Sequence, residues 1–346
     1  MDKNRIRLAI ATLALTLTGI GAQAQLRDST VSIVAYWTPG DKYSYLCKTD
    51  KYKVSADGDT TYTNQKSEVR TIEVLSQTKD SYTLQISFSD FWSSDPSETE
   101  MIQAIHRQCG PMNVLLRTSE MGAPEEVINL QELVKYNAAG VKPMMEIMKK
   151  DGSIKGSMEK KMIKYLTAQC CNPQTILTTF NDELGKFFFA HGAQIDTAET
   201  YTFEDKCAPL LAGQDSLDAM TTLWVDTSMT DEYSAVIRTF TEISSEALKD
   251  LVASVTSQFA GAAANINANK VNAFKDSLST ALRPITMTCE QYTTEEIHLD
   301  SGWPLRYYYD KVVTTTAPGE DGNEDKTSQN CESRSIEIIL PDENEE

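Results

Sequence analysis

Residues 81–88 read SYTLQISF, and this run constrains the fold more than any other of its length. Tyr82, Leu84, Ile86 and Phe88 point one way, and Ser81, Thr83, Gln85 and Ser87 the other. Successive side chains of a strand leave opposite faces, so the alternation predicts a strand with one face buried and one wet. EVRTIEVL, just before it, alternates more weakly: Val69, Thr71, Glu73 and Leu75 oppose Arg70, Ile72 and Val74. KYSYLCKTDKYKV and TTYTNQ flank ADGD, a hairpin signal in which Gly58 supplies the turn dihedral. Residues 31–119 therefore read as β structure.

The period changes at Pro124. This proline suits the first position of a helix, and Glu125 and Glu126 suit the positive end of its dipole. Val127, Leu130, Leu133 and Val134 recur at helical spacing. Gly140 interrupts, and Val141, Met144, Met145 and Met148 continue an apolar face. Met158, Met162 and Leu166 line a further helix; Ile176, Leu177, Phe180, Leu184 and Phe188 line the next. Residues 124–190 are thus a helical insertion.

β signal returns over 200–243 in TLWVDTS and YSAVIRTFTEI, rich in β-branched and aromatic residues. A second helical insertion covers 244–283. Leu248, Leu251, Val252, Val255 and Phe259 share one face; Val271, Phe274, Leu278 and Leu282 form another, and Pro284 stops it. ITMTCEQY, EEIHLDSGWPLRYYYDKVVTTT and SRSIEIIL make residues 285–340 β again. The class is α+β: one large antiparallel sheet in a single domain over 25–340, with two helical insertions packed against it. PDENEE, which includes residues 341–346, is an acidic tail expected to be disordered.

The N-terminus reads as a secretory signal peptide over residues 1–24. Lys3, Arg5 and Arg7 precede an apolar run from Leu8 to Ile20, and Ala22 and Ala24 place cleavage before Gln25. The expectation is an exported chain, periplasmic or extracellular, soluble and without a lipid anchor, since no cysteine follows the cleavage site. No later run is apolar for about 18 residues, so no transmembrane segment is expected after cleavage. The leader carries three basic residues and one acidic, so removing it takes the net charge from −18 to −20. Such a surface repels nucleic acid.

Export exposes the seven cysteines to oxidation. Seven is odd, so one thiol is free or intermolecular. Cys170 and Cys171 are adjacent. A trans peptide holds their Cα atoms about 3.8 Å apart, below the disulfide range of about 4.4–6.8 Å, so each needs a different partner. Asn172 and Pro173 predict a helix start directly after them. The pair then sits at a helical corner suited to two staples, with Cys109 and Cys207 the favoured partners. Cys289 and Cys331 are the remaining disulfide candidates. The spacing matches neither a CxxC motif nor a Cys/His metal site.

Two passages together carry a resemblance: YWTPGDKYSY, residues 36–45, and EIHLDSGWPLRYYYD, residues 296–310. Their layout resembles uncharacterised exported proteins of Gram-negative envelopes and the periplasmic lipoprotein-carrier class. That resemblance implies a strongly curved, half-barrel-like sheet closed on one side by helices, whose cradle holds acyl chains or another apolar ligand. No functional residue transfers with it.

Catalytic chemistry has no visible seat. GxSxG, HExxH, GxxxxGK[ST] and GxGxxG are all absent, and His106, His191 and His298 are scattered. His191 reads as a partner of a helix C-terminus, and His298 as an exposed strand residue. Nothing implies a cofactor or a metal. Glycan hydrolysis by two carboxylates stays open, because sequence cannot test their separation. Aromatic residues are the least ordinary feature: on a strand Tyr307 and Tyr309 share one face and Tyr308 takes the other. The expected lining of a ligand site is Tyr82, Leu84, Ile86, Phe88, Trp303, Tyr307 and Tyr309. An apolar small molecule or lipid, or an envelope protein partner, would occupy it. A filled core would instead mean an interaction protein.

Overall fold

A computed structural model of the chain describes residues 26–27, 29–150, 152, 159–207, 217–264, 268–319 and 324–340. The expected leader, residues 1–24, and the expected acidic tail, residues 341–346, lie outside the described residues. Two antiparallel meanders build the main sheet. The first runs β3 (Lys42–Val54), β4 (Thr60–Gln77), β5 (Ser81–Ser93), β6 (Asn113–Ser119) and β7 (Pro124–Val127). The second runs β9 (Thr200–Cys207), β10 (Leu217–Val225), β11 (Ser234–Ile243), β12 (Thr286–His298), β13 (Pro304–Ala317) and β14 (Lys326–Ile339). β14 pairs with β3 and joins them into one 11-stranded sheet, open and curved, with β7 and β9 at its edges. A small sheet of β1 (Leu26–Arg27), β2 (Thr30–Ser32) and β8 (Gln194–Asp196) lies beside it.

Six helices among the described residues pack against this framework: α1 (Pro96–Cys109), α2 (Leu130–Lys150), α3 (Glu159–Cys170), α4 (Pro173–Phe187), α5 (Ser245–Ala264) and α6 (Ala268–Leu282). The α+β class and the large antiparallel sheet are as the sequence indicates. SYTLQISF lies in β5 with Tyr82, Leu84 and Ile86 buried. The ADGD hairpin joins β3 to β4, with Gly58 donating to the Ser55 carbonyl. Asn172 caps α4, its Oδ1 accepting from the Gln174 and Thr175 amides.

Three local expectations are corrected. Residues 31–119 are not all β, because α1 interrupts them. Its signals were present: the Asp95 carboxylate accepts from the Ser97 amide, Pro96 takes the first turn, and Gly110 ends the helix. Residues 124–127 form an edge strand rather than a helix start. Pro124 is tolerated there because an edge strand needs fewer amide donors. Glu125 and Glu126 pair with Arg117 at 3.3 and 2.8 Å across the strand pair instead of capping a dipole. Gly140 does not interrupt α2; it lies inside the helix, buried beside Ile105 of α1, where a Cβ would make ordinary contact at 3.4 Å.

The core divides along the sheet. One cluster packs Tyr45, Ile72, Val74, Leu84, Ile86, Val114 and Leu116 against Ile176, Leu184 and Phe187 of α4. A second joins Val31 and Ile33 to Ile237, Ile297 and Leu299. A third sets Leu248 of α5 against Ile243, Met287 and Cys289. Residues 31–37 thread between the first two and bind four segments. The Ile33 amide donates to the Ala193 carbonyl, the Ala35 amide to Met121, the Tyr36 amide to Ser301, and the Gly192 amide to Ile33, at 2.8–3.1 Å. The Tyr82 hydroxyl donates to the Ala35 carbonyl at 3.1 Å.

This crossing requires glycine at residue 302. Its φ is +72°, and a Cβ there would lie 2.3 Å from the Val34 carbonyl oxygen. Gly302→Ala is expected to cost about 3 kcal/mol or more, since backbone rather than a flexible side chain must move. Gly58→Ala, at φ +85° with nothing within 4 Å, should cost only about 1–2 kcal/mol of left-handed strain. Urea unfolding of both variants checks the contrast; equal losses would mean that the crossing yields easily.

Candidate functional site

Cross-strand register sorts the helix-facing side of the sheet into rows, because directly paired residues of antiparallel strands share a face. One row runs Glu68, Cys47, Ile336, Tyr307, Glu295 and Ile237, across β4, β3, β14, β13, β12 and β11. The next runs Lys66, Thr49, Arg334 and Tyr309. Both rows pass beneath α4, and between them and the helix lies a cleft of about 230 Å³. Cys47, Phe91, Tyr307, Tyr309 and Ile336 form much of its apolar surface.

Charged groups are arranged around these side chains. The Arg70 guanidinium donates from Nε to Glu68 at 2.6 Å, and Nη2 lies 2.9 Å from Glu183 of α4. Arg334 engages Glu332 through Nε and Nη2, both at 2.6 Å. Lys186 of α4 lies 5.0 Å from the Tyr309 ring centroid, and the Arg334 guanidinium lies 5.8 Å from the same ring. These are cation–π distances. Arg70 is likewise 5.6 Å from the Phe88 ring. Burial would push the Glu332 carboxyl up, but the Arg334 and Lys51 cations outweigh it and hold it below its usual value. Burial raises the Cys47 thiol to about 12, so it stays protonated and is a poor nucleophile.

The residues expected to line a ligand site separate into two groups. Tyr307 and Tyr309 line the cleft, while Tyr308 faces the other side of the sheet and is exposed. Tyr82, Leu84, Ile86 and Trp303 lie in filled core, and Phe88 packs beside it under Arg70. Trp303 stacks on Trp37 with centroids 4.7 Å apart, and Trp37 also meets Tyr82, Phe188 and His191 at 5.3–5.8 Å. The charged residues of the cleft were not anticipated. Part of their signal was present in the strand period, since Arg70 shares a face with Ile72 and Val74 on a half-buried strand.

The histidines and cysteines also differ from expectation. His191 does not serve a helix dipole. It is buried, and its Nε2 donates to the Gly302 carbonyl at 2.7 Å, which makes Nε2 the protonated nitrogen of a neutral ring. His298 is half-buried, with Nδ1 2.8 Å from the Ser301 hydroxyl. Cys47, Cys109, Cys170, Cys171, Cys289 and Cys331 are free thiols, so the expected bridges are not formed among them. Cys289 pairs with Val313 and Cys331 with Val312, so the two thiols leave opposite faces of the sheet. At the helical corner, the Asn137 side chain instead donates to the Cys170 carbonyl at 2.7 Å, and Cys171 packs beside Val141 and Met145. The Cys207 side chain, Met158 and the Met162 side chain lie outside the described residues. Among the described residues no three His, Cys, Asp or Glu side chains gather as metal ligands would, and no helix is long and apolar enough to cross a membrane.

Beside Tyr307 in its row sits Glu295, with none of its surface exposed. Neither carboxyl oxygen has a hydrogen-bond partner among the described residues, and the Tyr45 hydroxyl is similarly placed. Burial raises the Glu295 carboxyl well above its ordinary value, so it is held neutral.

No family model matches the sequence, and no curated protein does. Among solved structures, one concerned with lipid–protein interactions in lipovitellin aligns over 89% of this chain at 11% identity and a TM-score of 0.34. The match takes in about a quarter (26%) of the lipovitellin chain. A loop L8 deletion mutant of OmpT, an outer membrane protein of Vibrio cholerae, aligns over 87% of this chain and 100% of its own, at 7% identity and a TM-score of 0.18. Likeness at these scores says nothing about function.

His191 and Glu295, both buried, oppose each other in pH. Burial lowers the His191 ring from 6.5 to about 4. Between those values the unfolded chain binds the extra proton, so stability is lost as pH falls, by about 3 kcal/mol. Glu295 is raised, so the folded chain binds the extra proton, and its contribution is lost as pH rises above the unfolded carboxyl value. Glu295→Gln is expected to unmask the histidine slope between pH 4 and 6.5 and to be more stable than the parent at pH 7 and above. His191→Gln should leave stability falling with pH. Urea midpoints of the three proteins across this range test both assignments; parallel profiles would refute them.

Proposed function

We propose that the chain is an exported, non-enzymatic protein that holds an apolar ligand on the helix-facing side of its curved sheet. The observation that carries this reading is the cleft between α4 and the two rows of β3, β4, β13 and β14. Cys47, Phe91, Tyr307, Tyr309 and Ile336 give it an aromatic and aliphatic floor, and polar or charged residues line the rest. At about 230 Å³ it is smaller than the common range of about 300–1,000 Å³. That size suits one chain or one headgroup rather than a many-chained lipid. The N-terminal leader pattern supports export.

The packing of Tyr82, Leu84 and Ile86 around Trp37 favours the second reading, an interaction protein with a filled core. It narrows the ligand reading to the cleft rather than the whole sheet. Carboxylate-based hydrolysis gains no support, because Glu68 and Glu183 in the cleft are both ion-paired with Arg70.

A native mass of the chain, purified gently after expression with its leader in a Gram-negative host, separates these readings. The expected result is excess mass that organic solvent removes, on a polypeptide beginning at Gln25. A mass equal to the processed polypeptide, together with no uptake of added amphiphile, would favour the filled-core protein. An unprocessed N-terminus would remove the export reading.

A further inference from the structure

The adjacent thiols Cys170 and Cys171 stand against a helix face that carries sulfur. They end α3 and open the turn into α4. Asn137, Val141, Met145 and Met148 of α2 recur at helical spacing and share one face. Two contacts aim that face at the corner. The Asn137 side chain donates to the Cys170 carbonyl at 2.7 Å, and Cys171 packs in one cluster with Val141, Met145, Met148 and Leu166. Helical side chains lean toward the N-terminus, so the Met145 thioether leans back toward the turn of Val141 and the corner. Met145 is buried, while both thiols are half-buried. A solvent ion that reached the thiols would find the thioether behind them.

The spacing that forbids a disulfide between neighbours suits a shared ion. Thiolate–metal bonds of about 2.3 Å hold two sulfurs on one ion about 4 Å apart, against about 2.05 Å in a disulfide. Residues with Cα atoms about 3.8 Å apart can meet the wider spacing. No three His, Cys, Asp or Glu side chains gather here among the described residues, so the third donor on the page is a methionine sulfur. Thiolate and thioether together select a soft cation such as Cu(I), whereas oxygen donors select hard ones. Burial raises both thiols, and at Cys171 the charge of Cys170 adds to this, so both rest protonated. Each cysteine–metal bond then forms as the S–H proton leaves to solvent, with no electron transferred.

We propose that Cys170, Cys171 and Met145 form a three-sulfur site for a soft monovalent cation of the Cu(I) class. The site is carried by residues other than those of the cleft and does not depend on its occupant.

Native mass spectrometry of the reduced, mature protein, titrated anaerobically with Cu(I) held by bathocuproine disulfonate, tests this. The chelator competes with single thiols, so uptake reports a site with several donors. One copper per chain is expected, with sulfur alone in its first coordination sphere by X-ray absorption. Cys171→Ser should abolish uptake, and Cys47→Ser, at a buried thiol elsewhere, should leave it unchanged. Met145→Leu conserves volume and keeps the fold; it should weaken copper by about tenfold or more, a loss of ~1.4 kcal/mol. Circular dichroism of the metal-free variants verifies that each is folded. No uptake by the parent, or uptake that Cys171→Ser leaves intact, would overturn the site. A folded Met145→Leu protein that binds as tightly as the parent would overturn the part given to the thioether. Displacement of the copper by equimolar Zn(II) would overturn the soft-cation assignment.

Discussion

The structure depends on the crossing at residues 33–37. Two meanders distant in sequence share one sheet through β3 and β14, but that ladder alone would leave their outer loops unattached. The extended segment through Ala35 supplies the attachment, giving amide donors to the 119–123 turn, the 188–193 turn and the 299–303 turn. Gly302 approaches so closely that only hydrogen fits against Val34, and His191 closes the remaining side through the Gly302 carbonyl. The stacked Trp37–Trp303 pair then fills the space beneath, with geometry that adds about 0.5–1.5 kcal/mol beyond area burial. Once these loops are fixed, α4 has one place to lie, and the cleft is what remains between it and the sheet.

Charge inside the cleft is organised differently from charge outside it. On the outer surface the acidic excess is solvated, and ion pairs there contribute little. Under α4 the arginines are stripped of much of their water, and each must be compensated. Glu68, Glu332 and Glu183 do this, while aromatic faces at Phe88 and Tyr309 take part of the cationic charge. The result is a groove of paired charges over an apolar floor, in a chain whose net charge is −18.

Glu295 is the cost written into this arrangement. A carboxyl with no surface and no hydrogen-bond partner among the described residues destabilises the fold at neutral pH, because it must be held protonated. An amide of the same shape would avoid that penalty. It stands one strand from Tyr307 and faces the Ile237 cluster, so it marks the inner limit of the cleft. His191, held neutral at the other end of the core, carries a compensating pH dependence of opposite sign.

Local order was written in the sequence wherever one interaction range sufficed. The period of SYTLQISF requires a strand with one buried face, and Asn172-Pro173 requires a helix start, because both depend only on neighbours within a turn or two. Asp95-Pro96 carried an equally local signal for α1. Gly302 is different: its left-handed turn is legible after Asp300 and Ser301, but its contact with Val34 is not. The tertiary structure decided what register and crossing impose. It turned Pro124–Val127 into an edge strand because β6 lay alongside, and it put Cys289 and Cys331 on opposite faces through the parity of their pairing. It also brought Arg70, Lys186 and Arg334, far apart in the chain, to one cleft under α4. Cross-strand neighbours are set by which strands meet and in what register, and that information resides in the assembled sheet rather than in any single segment.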